Sequence, residues 1–587
     1  MNWTAIDYQP ISTTSSGYSL PILLLMLKLL LFATCLIPAM ATAEFDKRLI
    51  YWKKLLHYGE HTSRVVSSKF FITAKGARDY QFELIETIRQ LKSPAGQEIA
   101  CRFPARYRWL QSNYTDIPQY QLKDCAELSS FVEGFQKQTV SLSFASEYLN
   151  NPVSSFGHTM LVFHDEDKPL LSADAVHFAA ISDESDNYFA YTWNGLTGAY
   201  PGYFFRDAFF KKQHQYNIIE QRYLHLYSLD FTSQQIEDLI YHLYELRNAT
   251  YKYYFINENC AYQIAILLDL VTNRDSFSDS TFVLPIEVAK AYKDLHKYKR
   301  VLYPTSVQVN YILDEMSDIE QSQFQAVLDG ELHPDDTLSN RVKYTLNLYY
   351  EYDFRKKHVT NPHYDKVVKL NYSKPNLNID SAEPLNKQSA SKVSAGYIHN
   401  RRGDGVLLAY RPLIRDLIDT QQDNQASELI LFNPVMQINN EATYLQQLDL
   451  ISIKSLPTRS RYFKPISWQF YTGLNRNNPE EKLNYETEIG IGLSNRLSLI
   501  NLTYAINIGS DFTTGDSYYK PDLTLLANFG DYFKIGFNAY EKYYEDKKYI
   551  ERTIFTTLRF GQYALNMNYS NTTSSDVVIS VNLFHYF

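Results

Sequence analysis

The feature that most limits how this chain can fold is a period-two alternation that begins near residue 392 and runs to Phe587. In Leu483-Asn484-Tyr485-Glu486-Thr487-Glu488-Ile489-Gly490-Ile491-Gly492-Leu493, apolar side chains alternate with small or polar ones. The pattern returns around Trp468 to Leu474, Leu497 to Ile508, Tyr532 to Tyr543, Tyr549 to Phe560 and Val577 to Phe587. Successive side chains of a strand point to opposite faces, so this spacing demands sheet with one apolar and one polar face. Turn clusters such as Asn475-Arg476-Asn477-Asn478-Pro479 and Asn571-Thr572-Thr573-Ser574-Ser575 separate the segments. Counting them gives an antiparallel β-barrel of about ten to twelve strands over residues 392–587, with strand lengths that suit an outer-membrane barrel.

A soluble barrel or sandwich would show the same alternation. Composition bears on the choice: the chain holds 49 Tyr and 34 Phe, residues that girdle membrane interfaces. Phe587 also ends a strand that carries Ile579, Val581 and Leu583 on one face, which resembles an outer-membrane insertion signal. The formal net charge of -8 supplies no basic footprint and argues against a nucleic-acid partner.

Residues 1–43 read as a signal peptide. Leu20 to Ala43 contains an apolar core, Pro38, and Ala41-Thr42-Ala43 before Glu44, a small-x-small cleavage site. Lys28 interrupts the apolar run unless translation starts at Met26, which makes Met26-Leu27-Lys28 a short basic leader start. An uncleaved anchor helix is the other reading, since the run is near spanning length. Phe32-Ala33-Thr34 is a poor lipobox for Cys35, so cleavage after Ala43 is the expectation.

Export leaves Cys101, Cys125 and Cys260. In an oxidising compartment Cys101 and Cys125 are natural disulfide partners. Cys260 is then the odd thiol, either buried and inert or kept for chemistry. Residues 44–135 carry helical spacing and form an N-terminal helical domain; residues 136–300 mix short strands with helices at Ser233 to Arg247 and Cys260 to Leu270. Residues 301–391 read as a helical extension followed by a polar linker.

Two segments of the central region bear chemistry. A turn-rich loop ending in Ser155-Phe156-Gly157 delivers His158 to the start of an apolar strand, Val140 to Ala145, Thr159 to Phe163 and Ala175 to Ile181 being the short apolar runs read as strands. Glu258-Asn259-Cys260-Ala261-Tyr262 places a cysteine at the start of an apolar helix. A helix N-terminus favours thiolate, and a nearby histidine completes activation as general base. A carboxylate at Glu258 would raise the thiol pKa, so it receives no catalytic role. No metal-ligand spacing and no phosphate-cradling loop occurs, so neither metal nor cofactor is expected.

A histidine on a strand followed by a cysteine on a helix is the order of permuted papain-like enzymes related to NlpC/P60. The strings Asn151-Pro-Val-Ser-Ser-Phe-Gly-His158-Thr, Gly195-Leu-Thr-Gly-Ala-Tyr-Pro-Gly-Tyr203-Phe and Glu258-Asn-Cys260-Ala-Tyr resemble the DUF4105 family. That family is also described as the Lnb N-terminal periplasmic domain, after a bacterial lipoprotein N-acyltransferase. The resemblance covers roughly residues 135–300. It implies an α+β papain-like central domain with Cys260 as nucleophile and His158 as general base.

Three further assignments have two readings each. His177 either orients the His158 ring as a third catalytic group or is a plain strand histidine. Asn259 either meets substrate or caps the Cys260 helix. The Gly195–Tyr203 segment, read as a loop, either lines the cleft with Tyr200 and Tyr203 or is a tight aromatic connection. The resemblance implies a cell-envelope cysteine acyltransferase whose substrate is a membrane lipid or lipoprotein. A periplasmic lipid or peptide amide hydrolase and a non-catalytic barrel-anchored scaffold are the alternatives.

Overall fold

The computed structural model describes residues 48–587 apart from 151–153, 184, 279, 281, 381–382, 401–402, 421–425, 477–481 and 574–576. The leader with Met26, Cys35 and the Ala43 cleavage site lies outside the described residues, as do Asn151, Pro152 and Val153 of the loop before His158. The chain forms two compact units, the first comprising residues up to 129 with 241–249 and 269–274.

In the first unit, Asp79 starts the Tyr80–Leu91 helix by accepting the Phe82 N–H, and Pro104 opens the Pro104–Asn113 helix. Asp79 pairs, and Pro104 lacks, a backbone N–H that a helix start leaves without an intrahelical acceptor. Trp52 and Trp109 stack at 5.5 Å. The fully buried Arg106 guanidinium lies 3.5 Å from Glu83 and 3.2 Å from Glu245, which answers a charge too costly to bury alone. Cys101 and Cys125 form a disulfide within this unit.

The second unit holds an α/β region and the barrel. Seven antiparallel strands build the α/β sheet: β1 (Thr139–Ala145), β2 (His158–His164), β3 (Asp174–Ala180), β4 (Tyr200–Ala208), β5 (Leu224–Leu229), β6 (Tyr251–Tyr253) and β7 (His296–Leu302). Their order is β6-β4-β3-β2-β1-β5-β7. Nearly every residue of β1, β2 and β5 is buried, so both faces of the sheet centre are covered. The segment read as a loop over 195–203 is a correction to the sequence reading. Gly195 lies in the Tyr188–Thr197 helix, and Tyr200 and Tyr203 stand on β4. Asn187 caps that helix and Gly198, at φ +74°, ends it, so the Gly and Pro signals mark a helix end and a strand start. Helices Thr305–Asp314, Asp318–Leu328 and Asn340–Lys357 follow, packed around Val309, Phe324, Val342 and Leu346.

The barrel strands are β8 (Lys392–Asn400), β9 (Gly403–Arg411), the short β10 (Leu413–Arg415), β11 (Ala426–Asn439), β12 (Thr443–Leu456), the short β13 (Thr458–Arg459), β14 (Ser467–Asn475), β15 (Asn484–Leu497), β16 (Ile500–Asp511), β17 (Asp516–Phe529), β18 (Phe533–Tyr543), β19 (Lys548–Phe560), β20 (Tyr563–Thr572) and β21 (Val577–Tyr586). Pairing of β21 with β8 and of β9 with β11 closes a 12-strand antiparallel barrel. Ile489, Ile491, Tyr504, Ile506 and Ile508 are exposed, whereas Glu486, Glu488, Asn507 and Lys542 are buried inside. This apolar-outside, polar-inside order inverts that of a soluble barrel and matches a lipid-facing wall. The protein is an envelope protein anchored in the outer membrane.

The α/β region meets the barrel on the outer side of its wall. Leu429 pairs with Ile453 across β11 and β12, and the alternate pair Glu428 and Lys454 faces the lumen as a 3.4 Å ion pair. Leu149, Phe156, Ile256 and Leu284 of the α/β region cluster with Leu413, Leu429, Ile453 and Trp468 on that outward side. Trp468 Nε1 donates to Asn150 Oδ1 at 2.6 Å, and Arg415 lies 3.6 Å from Glu147.

Candidate functional site

His158 opens β2 opposite Ala145 of β1. Gly157 precedes it at φ +95°, where a Cβ would lie 2.8 Å from the Ala145 carbonyl oxygen, so only glycine delivers the strand at this angle. β2 and β3 pair from Met160–His177 to Phe163–Asp174 and then part, while β3 stays paired with β4 on its other edge from Asp174 to Ala180. The Thr159 N–H, at the point of parting, donates to the Cys260 sulfur.

Cys260 is the first residue of the Cys260–Thr272 helix and a buried free thiol. Asn259 fixes that helix start: its Oδ1 accepts the N–H groups of Ala261 at 2.9 Å and Tyr262 at 3.1 Å. Its Nδ2 donates to the carbonyls of Val283 at 2.9 Å and of Phe255 and Ile256 at 3.3 Å. Of the two readings of Asn259, the geometry is that of a cap. The Tyr253 hydroxyl on β6 and the Ala261 N–H also donate to the sulfur.

Burial dominates the electrostatics. It pushes the Cys260 thiol above its ordinary value, and the three donors with the nearby Arg222 charge do not offset it. It also holds His158 well below the ordinary imidazole range, helped by His177, Arg222 and Lys212. The acidified thiolate expected from the helix start alone is therefore not the resting form.

His177 on β3 faces the same side as His158, the ring centroids 5.8 Å apart. Its Nε2 lies 2.9 Å from Asp207 Oδ2 on β4, and Lys212 Nζ stands 3.0 Å from the same oxygen. Burial pushes Asp207 up, but the hydrogen bonds from His177 and Lys212 hold it below its usual range. Burial, followed by Lys212, brings His177 down to about 4, so it is neutral near pH 7. With its Nε2–H given to Asp207, its Nδ1 is a lone-pair acceptor, buried without a partner. His158 Nε2 is likewise buried without a partner. Two complementary unpaired nitrogens thus sit on adjacent rings.

Sequence reasoning missed four members of this constellation: Asp207, Tyr253, Tyr216 and Arg222. Tyr216 packs 6.0 Å from His158, and burial holds its hydroxyl well above the ordinary phenol range. Arg222 lies over the Tyr216 ring at 4.7 Å and is anchored by the Ser146 and Ala145 carbonyls and by Glu220. Nothing local marks these residues, since strand pairing and the covering helix bring them in. Tyr200 is buried with its hydroxyl on Asp186, and Tyr203 packs against Phe205 beside His177. Cys101 and Cys125 belong to the first unit.

Residues 128–294 match the family model of the Lnb N-terminal periplasmic domain. Residues 47–113 and 381–578 match two domains of unknown function, DUF7843 and DUF7840. No curated protein matches the chain. Among solved structures, the KdgM porin is similar at 9% identity and a TM-score of 0.23, over 33% of this chain and 99% of that one. The outer membrane protein Omp33 of Acinetobacter baumannii is similar at 11% identity and 0.23, over 34% and 100%. LpxR from Salmonella typhimurium is similar at 12% identity and 0.23, over 34% and 100%.

Proposed function

We propose that the α/β region is a papain-like thiol enzyme of the permuted NlpC/P60 type, with Cys260 as the nucleophile of an acyl transfer at the periplasmic face of the outer membrane. One observation carries the reading: a free thiol at a helix start takes the N–H of Thr159, the residue that follows His158, and the His158 ring is backed by His177 and Asp207. In the first step Cys260 Sγ attacks an ester or amide carbonyl carbon while neutral His158 takes the thiol proton. His158 then gives that proton to the leaving alcohol or amine as the carbon–oxygen or carbon–nitrogen bond breaks, and a thioester remains. An amine or water, deprotonated by His158, attacks the thioester and regenerates the thiol. A short rotation that joins His158 Nε2–H to His177 Nδ1 leaves His158 Nδ1 as the base, and Asp207 holds His177 in the tautomer this requires.

The donor we infer is a membrane lipid and the acceptor a lipoprotein amine. The support is the match to a domain described as periplasmic and named Lnb, together with the attachment of the site region to a lipid-facing wall. The test is intact-protein mass spectrometry of the purified full chain in phospholipid vesicles. A hydroxylamine-labile acyl adduct on Cys260 is expected, absent in Cys260→Ala. His158→Ala should slow adduct formation by about 10²-fold or more. Adduct formation without transfer to an added lipopeptide amine, with release of free acid, would assign a hydrolase. No adduct, together with unchanged lipoprotein acylation in cells carrying Cys260→Ala, would leave the scaffold reading.

A further inference from the structure

Both ends of the sheet of the α/β region carry acidic residues, Asp183 and Asp186 after β3 at one and Asp165 to Asp167 after β2 at the other, and the two differ in their exposed apolar side chains. At the end that carries His158 and Cys260, β3 runs out into Ile181, which is 53% exposed. The Tyr188–Thr197 helix lies at this end and leads directly into β4. Gly195 on its inner side would bring a Cβ to 2.0 Å from the Phe255 ring, and Tyr191 packs on the same ring at 5.4 Å. Trp193 and Leu196 are 62% and 45% exposed, three residues apart and hence on one face of the helix. Phe282 is also exposed, one residue from Val283, whose N–H bonds the Ile256 carbonyl. The opposite end of the sheet, where β2 turns into β3, carries Asp165, Glu166, Asp167 and Lys168.

The end that carries Trp193 is continuous with a surface that already faces lipid. Phe255, which holds the Trp193 helix, is followed by Ile256, and Ile256 packs with Leu149 and Leu284 against the outward-facing Leu413, Leu429 and Ile453 of the barrel. Trp468, on that same outward side, bonds Asn150 of the loop before His158. An indole with one polar contact beside an apolar wall is the arrangement of a membrane-interface belt.

We infer that Ile181, Trp193, Leu196 and Phe282 form a membrane-docking lip seated in the periplasmic leaflet of the outer membrane, as a lateral extension of the barrel's lipid-facing band. A short helix held by glycine-to-aromatic contacts on one side, with Trp and Leu on the other, lies in the interface plane with its apolar face among the headgroups and upper acyl chains. The lip rests on packing and exposure alone and stands whether or not Cys260 is a nucleophile.

Nitroxide accessibility tests it on the full chain in phosphatidylethanolamine–phosphatidylglycerol vesicles. Single labels go on Trp193→Cys, Leu196→Cys and Leu171→Cys, in a background carrying Cys35→Ser and Cys260→Ala with the Cys101–Cys125 disulfide intact. Leu171 is a 51% exposed leucine just before β3, at the opposite end of the sheet, so it controls for apolar character. The ratio of oxygen to aqueous-nickel relaxation should be about tenfold higher at 193 and 196 than at 171, as for positions below the headgroups. Equal aqueous accessibility at all three positions would overturn the proposal. Shielding of 193 and 196 from both reagents would also overturn it, because a protein surface rather than lipid would then cover the lip. Heat-modifiable migration of each variant confirms a folded barrel, and a failed acyl-adduct experiment leaves these ratios unaffected.

Discussion

At the scale of single residues, the decisive competition is between a helix start and burial. Helix-dipole stabilisation of a charge near a terminus is about 0.3–1 kcal/mol at exposed sites, whereas burial shifts ionisation by up to 3–5 pKa units. The larger effect wins at Cys260, and it acts on His158 in the opposite sense. The resting pair is therefore a neutral thiol and a neutral imidazole over the range between the two displaced values. Iodoacetamide labelling of Cys260 should accelerate through pH 9 and beyond, with no plateau near neutrality; a plateau by pH 7 would mean a resting ion pair. Because His158 must be neutral to act and titrates below its ordinary 6.5, kcat/KM should fall only on the acid side of about 6.5. Asp207 acts through His177, so it is a positioning residue. Asp207→Asn should lower kcat by about ten- to a hundredfold with KM unchanged, and Asp207→Glu should restore part of the loss.

At the scale of elements, what was legible in the sequence is what local periodicity encodes. The alternation of Leu483 to Leu493 falls on β15, and the apolar run after Asn259-Cys260 is the buried Cys260–Thr272 helix. The segments Val140 to Ala145, Thr159 to Phe163 and Ala175 to Ile181 fall on β1, β2 and β3, so Cys260 and His158 could be proposed together before any fold was in hand. Asp207 could not, because its place beside His177 depends on the pairing of β3 with β4, a relation between strands that neither sequence carries alone. The 195–203 segment misled because Gly195 is there for close approach to Phe255 rather than for a turn. That account is testable. Gly195→Val overpacks the contact and should cost about 1–3 kcal/mol of local stability. It should appear as faster proteolysis within 188–197 and faster Cys260 alkylation, with heat-modifiable barrel migration unchanged. Cleavage no faster than in the wild-type chain would show that the helix does not depend on this contact.

At the scale of the whole molecule, the question is whether the barrel is a conduit or an anchor, and its interior answers through charge. Lys542 and Glu486 pair at 2.6 Å, Lys520 and Glu488 at 2.5 Å, and the Tyr518 hydroxyl donates to Glu488 at 3.2 Å. At the end where β8 begins and β21 ends, the segment 416–420 folds across the mouth. Arg411 lies 2.5 Å from Asp419 and Lys392 lies 2.7 Å from Asp416. Tyr586 and the Lys534 ammonium donate to the Asp419 side chain and carbonyl at 2.8 Å. Leu417 packs with Ala426, Leu456, Leu526 and Phe555 beneath this cluster. Charged groups lining an aqueous channel would be solvated, yet Arg411, Asp419, Glu486 and Lys542 are all more than nine-tenths buried. Such pairs hold one another in place, because removing one partner leaves the other buried and uncompensated at roughly 3–5 kcal/mol. Buried ion pairs thus cross the barrel near the end where β15 and β17 begin, and the 416–420 segment stoppers the other mouth; we read this interior as that of an anchor for the α/β region rather than of a solute channel. In planar bilayers the intact protein should give no steady ohmic current at moderate voltage. Replacing Arg411 and Lys392 together by Ala should loosen the stopper, with brief, noisy openings that the wild-type chain lacks. Stable open steps from the wild-type chain would overturn the anchor reading and make the barrel a channel with a thiol domain at its side.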